Sequence, residues 1–408
     1  MNAWIEQGRR VSARLGRLLG RSNGRLPSLG HDYDRGHRAY VSRLSPGNRL
    51  WLRTKPFSAP PSFELAACLH TFAHIVDRLE LGVRAQVLDL GCGPGWLSEY
   101  LARCGYWVTG VDISEEMIAI ARERYEAIGG EVGEGLEPKA EFHALPVREL
   151  PWTDRFDAAV LYDTMHHFDD ELETLRVIRR ALVPGGKIYI REGVRPEPGS
   201  ESERHLIAEM EEFGTLESPF DPRYLVDVVE QAGFEHVVRY MEVDELVDVT
   251  SGSQAARLLT RLGRHRLGLG DTNTLIASKP LPAGALTDAA HFSARIEQGA
   301  PPARDGGMLI FPLGVTNTGR SFWPTGAFPF PQGVVSVGPY AEGPEGRIEF
   351  PRAVLPHAVS PGEQVHVAVR VPEAAVREHT QIKVDLVREG LAWFGELGSE
   401  PLVLQLTP

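Results

Sequence analysis

Along the first two thirds of the chain, short apolar runs alternate with amphipathic stretches of helical period, so strands and helices take turns. Val87-Leu88-Asp89-Leu90 runs into a glycine-rich turn, Gly91-Cys92-Gly93-Pro94-Gly95. A helix leaves that turn with Leu97, Leu101 and Cys104 on one face and Gly105 as its stop. The spacing predicts further helices over 63–80, after the cap Ser114, over Glu171–Leu182, and from Pro222 to Gly233 with proline in the first position. Strands are predicted over 85–90, 108–112, 140–144, 156–162 and Lys187–Ile190. His236–Val243 and Thr274–Ser278 follow as an antiparallel hairpin. This alternation predicts an α/β fold with a doubly wound, Rossmann-like sheet. After Pro280 the helical period fades. Val365, Val367, Val369 and Val371 then alternate with other residues, as do Ile382, Val384 and Leu386, and turns such as Ser360-Pro361-Gly362 separate the runs. An all-β sandwich is the expected second domain.

Charge is unevenly spread over the 408 residues. The net charge is −12, yet residues 1–60 hold twelve Lys and Arg against Glu6, Asp32 and Asp34. The body beyond them is acidic, a poor match for a nucleic-acid backbone, so DNA and RNA are excluded as partners. Three cysteines, Cys68, Cys92 and Cys104, carry no C-x-x-C pairing and suggest neither a disulfide framework nor a zinc site. No apolar run has membrane-spanning length, and the N-terminus lacks the apolar core of a signal peptide. A cytoplasmic address is expected. Trp4, Val11, Leu15 and Leu18 fall near helical spacing beside a stripe of Arg10, Arg14, Arg17 and Arg21. Such a helix either lies on an anionic inner-membrane surface or packs with its charges in water.

The glycine turn and Asp112 carry the chemistry. Glycines let a ligand approach the backbone, the helix N-terminus offers free N–H groups, and an acid ending the next strand accepts hydrogen bonds from a ribose. In dinucleotide folds the fingerprint is G-x-G-x-x-G, but here Trp96 stands at the third glycine, which argues against a pyrophosphate and a nicotinamide-dependent oxidoreductase. Asp89-x-Gly91-x-Gly93-x-Gly95 instead resembles motif I of the class I methyltransferases. Phe156-Asp157-Ala158-Ala159-Val160, Met165-His166-His167-Phe168 and Leu182-Val183-Pro184-Gly185-Gly186 resemble later landmarks of that family, in the right order. The resemblance spans about residues 40 to 280. It implies S-adenosylmethionine as cofactor, held by Asp89, Gly91, Cys92, Gly93, Gly95, Asp112, Ile113, Met117, Ala144, Leu145 and Tyr162. In many relatives an aspartate contacts the adenine amino group, but here Pro146 occupies that place, leaving the backbone near Ala144 and Leu145. The expected organisation is a basic helix over 1–30, a methyltransferase domain over 31–280 with a lid segment at 31–61, a linker at 281–290 and the sandwich over 291–408.

Methyl transfer is an in-line displacement, and a hydroxyl acceptor also needs a base, for which histidine suits neutral pH. His166 and His167 follow strand four at the ligand-binding edge, with Asp163 placed to orient one of them. One of the pair is the candidate base, His166 favoured; the plainer alternative is that both line the pocket floor. Arg191 and Glu192 either bind the acceptor or pair with each other. Asp163, His166 and His167 could be imagined as ligands, but the carboxylate-rich site usual in metal-dependent O-methyltransferases is not legible around them, so no metal is expected. Residues 195–218 are an insertion between strand five and its helix, where the resemblance implies an acceptor pocket. Asn317-Thr318-Gly319 with Trp323 and Leu386–Phe394 resembles immunoglobulin-like domains on bacterial glycan enzymes, which implies a small-molecule, glycan or glycolipid acceptor. Trp323, Trp393 and Phe394 form either a sugar platform or sandwich core. A non-catalytic cofactor-binding scaffold, whose sandwich recruits a partner, is the alternative function. Oligomeric state is not legible.

Overall fold

The computed structural model describes residues 25–26, 29, 31–57, 64–128, 138–242, 252–266, 272–285, 288, 290–326, 332–344 and 346–406. The helix expected over 1–30 lies outside these residues except for 25, 26 and 29, which are not helical.

Three helices lead in: α1 (Tyr33–Arg43), α2 (Pro46–Thr54) and α3 (Glu64–Leu79). The alternating region follows as β1 (Gln86–Leu90), α4 (Trp96–Arg103), β2 (Trp107–Asp112), α5 (Glu115–Glu126), β3 (Lys139–Ala144) and β4 (Phe156–Tyr162). It continues with α6 (Glu171–Ala181), β5 (Leu182–Gly193), α7 (Glu201–Phe213), α8 (Pro222–Gln231), β6 (Glu235–Tyr240), α9 (Gly252–Arg266) and β7 (Thr272–Ser278). One seven-stranded sheet results, in the order β3-β2-β1-β4-β5-β7-β6, with β7 antiparallel to both neighbours. β5 starts earlier than the residue pattern indicates. Its Val183–Gly186 stretch bulges between the Phe156–Leu182 and Ala158–Lys187 pairs, so the proline and glycines lie within a strand rather than before it.

The layers follow from strand geometry, since successive side chains point to opposite faces. Leu88, Leu90, Ala159, Leu161, Ile188 and Ile190 meet Leu175 and Ile178 of α6 and Leu225 and Val229 of α8. Val87, Val108, Ala158, Val160 and Tyr189 meet Ile75 and Leu79 of α3 and Leu97 and Leu101 of α4. Ser114 Oγ accepts from Met117 N–H to start α5, as its cap position requires.

The C-terminal region forms two antiparallel sheets. One orders β14 (Gln364–Pro372), β10 (Met308–Asn317) and β8 (Ala294–Gln298), with β9 (Ala303–Asp305) also on β10. The other orders β12 (Gly346–Glu349), β11 (Val335–Gly343), β15 (Gln381–Arg388) and β16 (Ala392–Trp393). There β13 (Ala353–Val354) joins β11 and β17 (Leu402–Gln405) joins β15. A shared core of valines, Phe311, Trp323 and Phe394 fills the space between them. Trp323 and Phe394 are fully buried, and Trp393 is buried against Tyr340 with Arg347 and Arg352 over its ring. These aromatics are core, so they offer no platform for a sugar.

This region docks on the N-terminal edge of the α/β sheet, the end away from the glycine turn. Phe322 enters the α3–α4 core, its N–H bonds Pro184 O (3.1 Å), and Ala358 N–H bonds Glu80 O (3.1 Å). Asp157, buried at the start of β4, accepts from Gln86 N–H (2.8 Å) and lies beside Ser360 of the C-terminal region. Burial pushes its carboxyl up to about 7. A folded acid that keeps its proton to higher pH than the unfolded one stabilises most below pH ~4 and loses that contribution as pH rises through about 7. Asp157→Asn keeps the acceptor oxygen without the charge. The difference in melting temperature, variant minus wild type, is therefore expected to grow from pH 5 to pH 8, read by calorimetry.

Candidate active site

The glycine loop is shaped for close approach. Gly91 and Gly93 hold positive φ (62° and 50°). A side chain at Gly91 would strike Thr164, while the space above Gly93 is open. Asp112 ends β2 and ties the loop to the next turn: Oδ2 accepts from Gly93 N–H (3.0 Å) and Oδ1 from Ser114 N–H (2.8 Å). Each oxygen keeps a lone-pair direction for a further donor. Burial raises its pKa. Asp89 lies behind the loop, buried, accepting from Ser98 Oγ (2.5 Å), with burial raising its carboxyl to about 7. Its contribution is to brace the loop against α4. Cys92 also faces inward, since its thiol is buried against Gly110 and pushed well above the usual range by burial.

The other residues expected around the cofactor divide. Met117 packs in a cluster with Val41, Leu44 and Leu52 of the lead-in helices, and Ile113 O accepts from Arg38 (3.2 Å), so α1 and α2 cover α5. Leu145 N–H is already donated to Asp112 O (3.0 Å), which removes it as an adenine donor; Ala144 is exposed. Tyr162 stands edge-on to Trp96 (5.5 Å between centroids), with Lys55 over Trp51, Trp96 and Tyr162. The open space at Gly93 and the spare acceptor directions of Asp112 fit a nucleoside.

At the same sheet edge β4 is followed by Asp163, whose left-handed φ of 55° turns the chain into a short 3-10 turn, Met165–His167. Glu192, at the end of β5 and fully buried, braces that turn by accepting from Thr164 N–H (2.9 Å), Met165 N–H (2.6 Å) and His166 Nδ1 (2.7 Å). Glu217, from the insertion, lies 3.4 Å from His166 Nε2 and 3.5 Å from His167 Nδ1. His167 Nδ1 donates to Leu216 O (2.7 Å), and the His37 ring of α1 stands 4.6 Å from the His167 ring. Three imidazoles and two carboxylates thus meet in one cluster.

Their protonation follows from placement. Burial opposes charge on His166, but the Glu192 and Glu217 carboxylates outweigh it and hold the ring well above its usual range as an imidazolium. Burial, and then the charge of His166, lower His167. Burial lowers His37 to about 3. Against its own burial, His167 and His166 hold Glu217 at about 2. Two rings are therefore neutral: His37, whose Nε2 accepts from Leu216 N–H (3.5 Å), and His167, whose Nδ1–H is spent on Leu216 O and whose Nε2 has no hydrogen-bond partner among the described residues.

Three expectations need correction. Both nitrogens of His166 face carboxylates, so the ring favoured as base has no free lone pair. Asp163 does not orient it: although Asp163 lies near His166 and Glu192, its carboxylate pairs with Arg191 (3.7 Å), the residue opposite Tyr162 in the sheet register. Arg191 and Glu192 do not pair with each other, because neighbours on a strand point to opposite faces; Arg191 turns to Asp163 and Glu242. For a cation, the groups close enough are His166, His167 and Glu217, or Asp163, His166 and Glu192. Either set would have to displace the proton shared between His166 and its carboxylates.

His37, Glu217 and Arg25 escaped the sequence reading. Arg25 clamps the turn by bonding His166 O (2.9 Å), Phe168 O (2.5 Å) and Glu171 (2.6 Å). One signal pointed to His37. Gly36 beside it lies inside a helix, at a cost of about 1 kcal/mol against alanine. The structure supplies the reason: a side chain there would strike Gly214 O, where α7 ends. A cavity of about 620 Å³ opens along the insertion, lined by residues including Val194, Glu201, Arg204 and His205.

Part of the chain is similar to known proteins. Residues 87–186 match the family model described as a methyltransferase domain. Methyltransferase GfsG of Streptomyces halstedii is 33% identical over 118 residues, 28% of this chain and 40% of that protein. The ubiquinone biosynthesis O-methyltransferase of Xanthomonas oryzae pv. oryzae (strain PXO99A) is 34% identical over 121 residues, 29% of this chain and 46% of that protein. The chain thus spans less than half the length of these curated relatives. Among solved structures, phosphoethanolamine N-methyltransferase 2 of Haemonchus contortus with S-adenosyl-L-methionine is similar at a TM-score of 0.43 and 18% identity, covering 60% of each chain. Over residues 87–186 the chain is thus similar to methyltransferase domains.

Proposed function

We propose that this chain transfers a methyl group from S-adenosylmethionine to a hydroxyl of a small-molecule or glycan acceptor, with His167 as the base. The observation that carries the reading is the neutral His167, its tautomer fixed by Leu216 O at 2.7 Å, on the sheet edge that also holds the glycine loop and Asp112. When bound, the cofactor supplies an electrophilic methyl on a sulfonium. Asp112 takes the ribose hydroxyls and the Gly91–Gly95 loop the adenosyl side, while Tyr162 and Trp96 wall the methionine end. His167 Nε2 takes the acceptor's proton. His166, Glu192 and Glu217 are positioning residues: the carboxylates hold the turn and the charge on His166, and that charge together with burial keeps His167 neutral against their own pull.

The C-terminal sheets fit an immunoglobulin-like sandwich, which favours a glycan or glycolipid acceptor and a cytoplasmic enzyme of glycan biosynthesis. Domain limits at 31–280 and 291–408 accord with that reading. Because the sandwich sits at the opposite end of the sheet, it would bind the acceptor at a distance or serve assembly, and the chemistry would rest on the α/β domain alone.

The test is calorimetric titration of S-adenosylhomocysteine into wild type and Asp112→Ala. Hydrogen bonds to a charged acceptor contribute about 1.5–3 kcal/mol, so affinity is expected to fall about 10- to 100-fold in the variant. A folded wild type that does not bind would overturn the reading.

A further inference from the structure

α9 presents its face the wrong way round for a helix of a water-facing surface. It follows β6, which runs parallel to β5, and it leads into antiparallel β7, so both its ends hang from the sheet edge that carries the active site. The face toward the protein holds Gln254, Leu258, Arg261 and the buried His265. The opposite face is exposed and holds Ala256, Leu259, Thr260, Leu262 and Gly263, with Leu259 69% and Leu262 43% exposed. Thr260 spends its hydroxyl on Ala256 O (2.9 Å), so this strip makes almost no polar demand. Exposed arginines accompany it, Arg257 and Arg264 along one side and Arg266 at the C-terminal end in line with the leucines, and the helix carries no acid. Leu50 and Phe57 are 62% and 63% exposed on the lid segment, two to five residues from Lys55 over Tyr162 at that same edge.

We propose that α9 is an interfacial helix that docks the mouth of the active site on an anionic lipid surface. Charge complementarity selects this occupant. A basic, apolar strip on a chain of net charge −12 seats its leucines among acyl chains while the flanking arginines reach anionic headgroups. No helix among the described residues is long and apolar enough to cross a membrane.

The test uses the full chain and sedimentation with vesicles of phosphatidylcholine alone or with one quarter phosphatidylglycerol. Wild type is expected to bind the anionic vesicles and to lose binding in 0.5 M salt. Leu259→Glu with Leu262→Glu is expected to weaken that binding at least about tenfold. Both positions are exposed, so S-adenosylhomocysteine affinity and melting temperature serve as controls and are expected to hold. Because the basic N-terminal stretch is a second candidate, Arg10→Glu with Arg14→Glu and Arg17→Glu is run beside it. Binding that survives the leucine changes but not the arginine changes would overturn the proposal. So would a wild type that ignores anionic vesicles, or a dimer by light scattering that the leucine changes dissociate without affecting lipid binding.

Discussion

Replacing His167 by alanine is expected to cut methyl transfer about 10²- to 10⁴-fold while leaving S-adenosylhomocysteine affinity unchanged, the size that a lost general base carries. The pH profile separates this residue from its neighbour. Burial and the charge of His166 lower the His167 pKa, so the rate should rise with pH through a value below 6.5 and stay level above it. Were His166 the base, its carboxylate partners would place that rise well above 6.5. His166→Gln removes the neighbouring positive charge, and the rise is then expected to move up. Single-turnover rates from pH 5 to 9 read all of this, and a His167→Ala enzyme with an unchanged profile would sink the assignment. The loss should appear in kcat rather than in cofactor binding, because His167 contacts none of the loop residues that brace Asp112.

Why the sequence pointed to His166 is instructive. Everything carried by consecutive residues was legible: the strand, the glycine loop, the acid that ends β2, the cap at Ser114 and the two histidines just after β4. Tautomer and charge were not, because they depend on groups that arrive from elsewhere. Glu192 comes from β5, Glu217 from the insertion, and His37 from a lead-in helix, brought together by the backbone contact between Gly36 and Gly214. None of these has a periodic signature. Asp163 was the nearest acid along the chain, but left-handed backbone and an adjacent Arg191 took it away. In the sandwich, alternation identified the strands, yet only packing could decide that Trp323, Trp393 and Phe394 face inward.

Phe322→Ala is the second substitution of large expected effect, and its consequence is to stability rather than chemistry. Phe322 is 2% exposed and belongs to the core of the α/β domain, packed with Tyr189, Val183 and Ala358, although it comes from the C-terminal region. Emptying such a site costs about 3–5 kcal/mol. The backbone bonds from Phe322 to Pro184 and from Ala358 to Glu80 would remain but lose the apolar anchor that aligns them. Calorimetry should therefore show melting begin about 10 °C earlier and split into two transitions, one for each domain. Methyl transfer per folded molecule should be kept, since this contact lies at the sheet's N-terminal edge and His167 at the other. A variant that melts as wild type does would mean that the two domains are not coupled through Phe322. One that melts early and also loses activity at a temperature where it is folded would mean that the sandwich acts on the site through the sheet, and that its docking is part of catalysis.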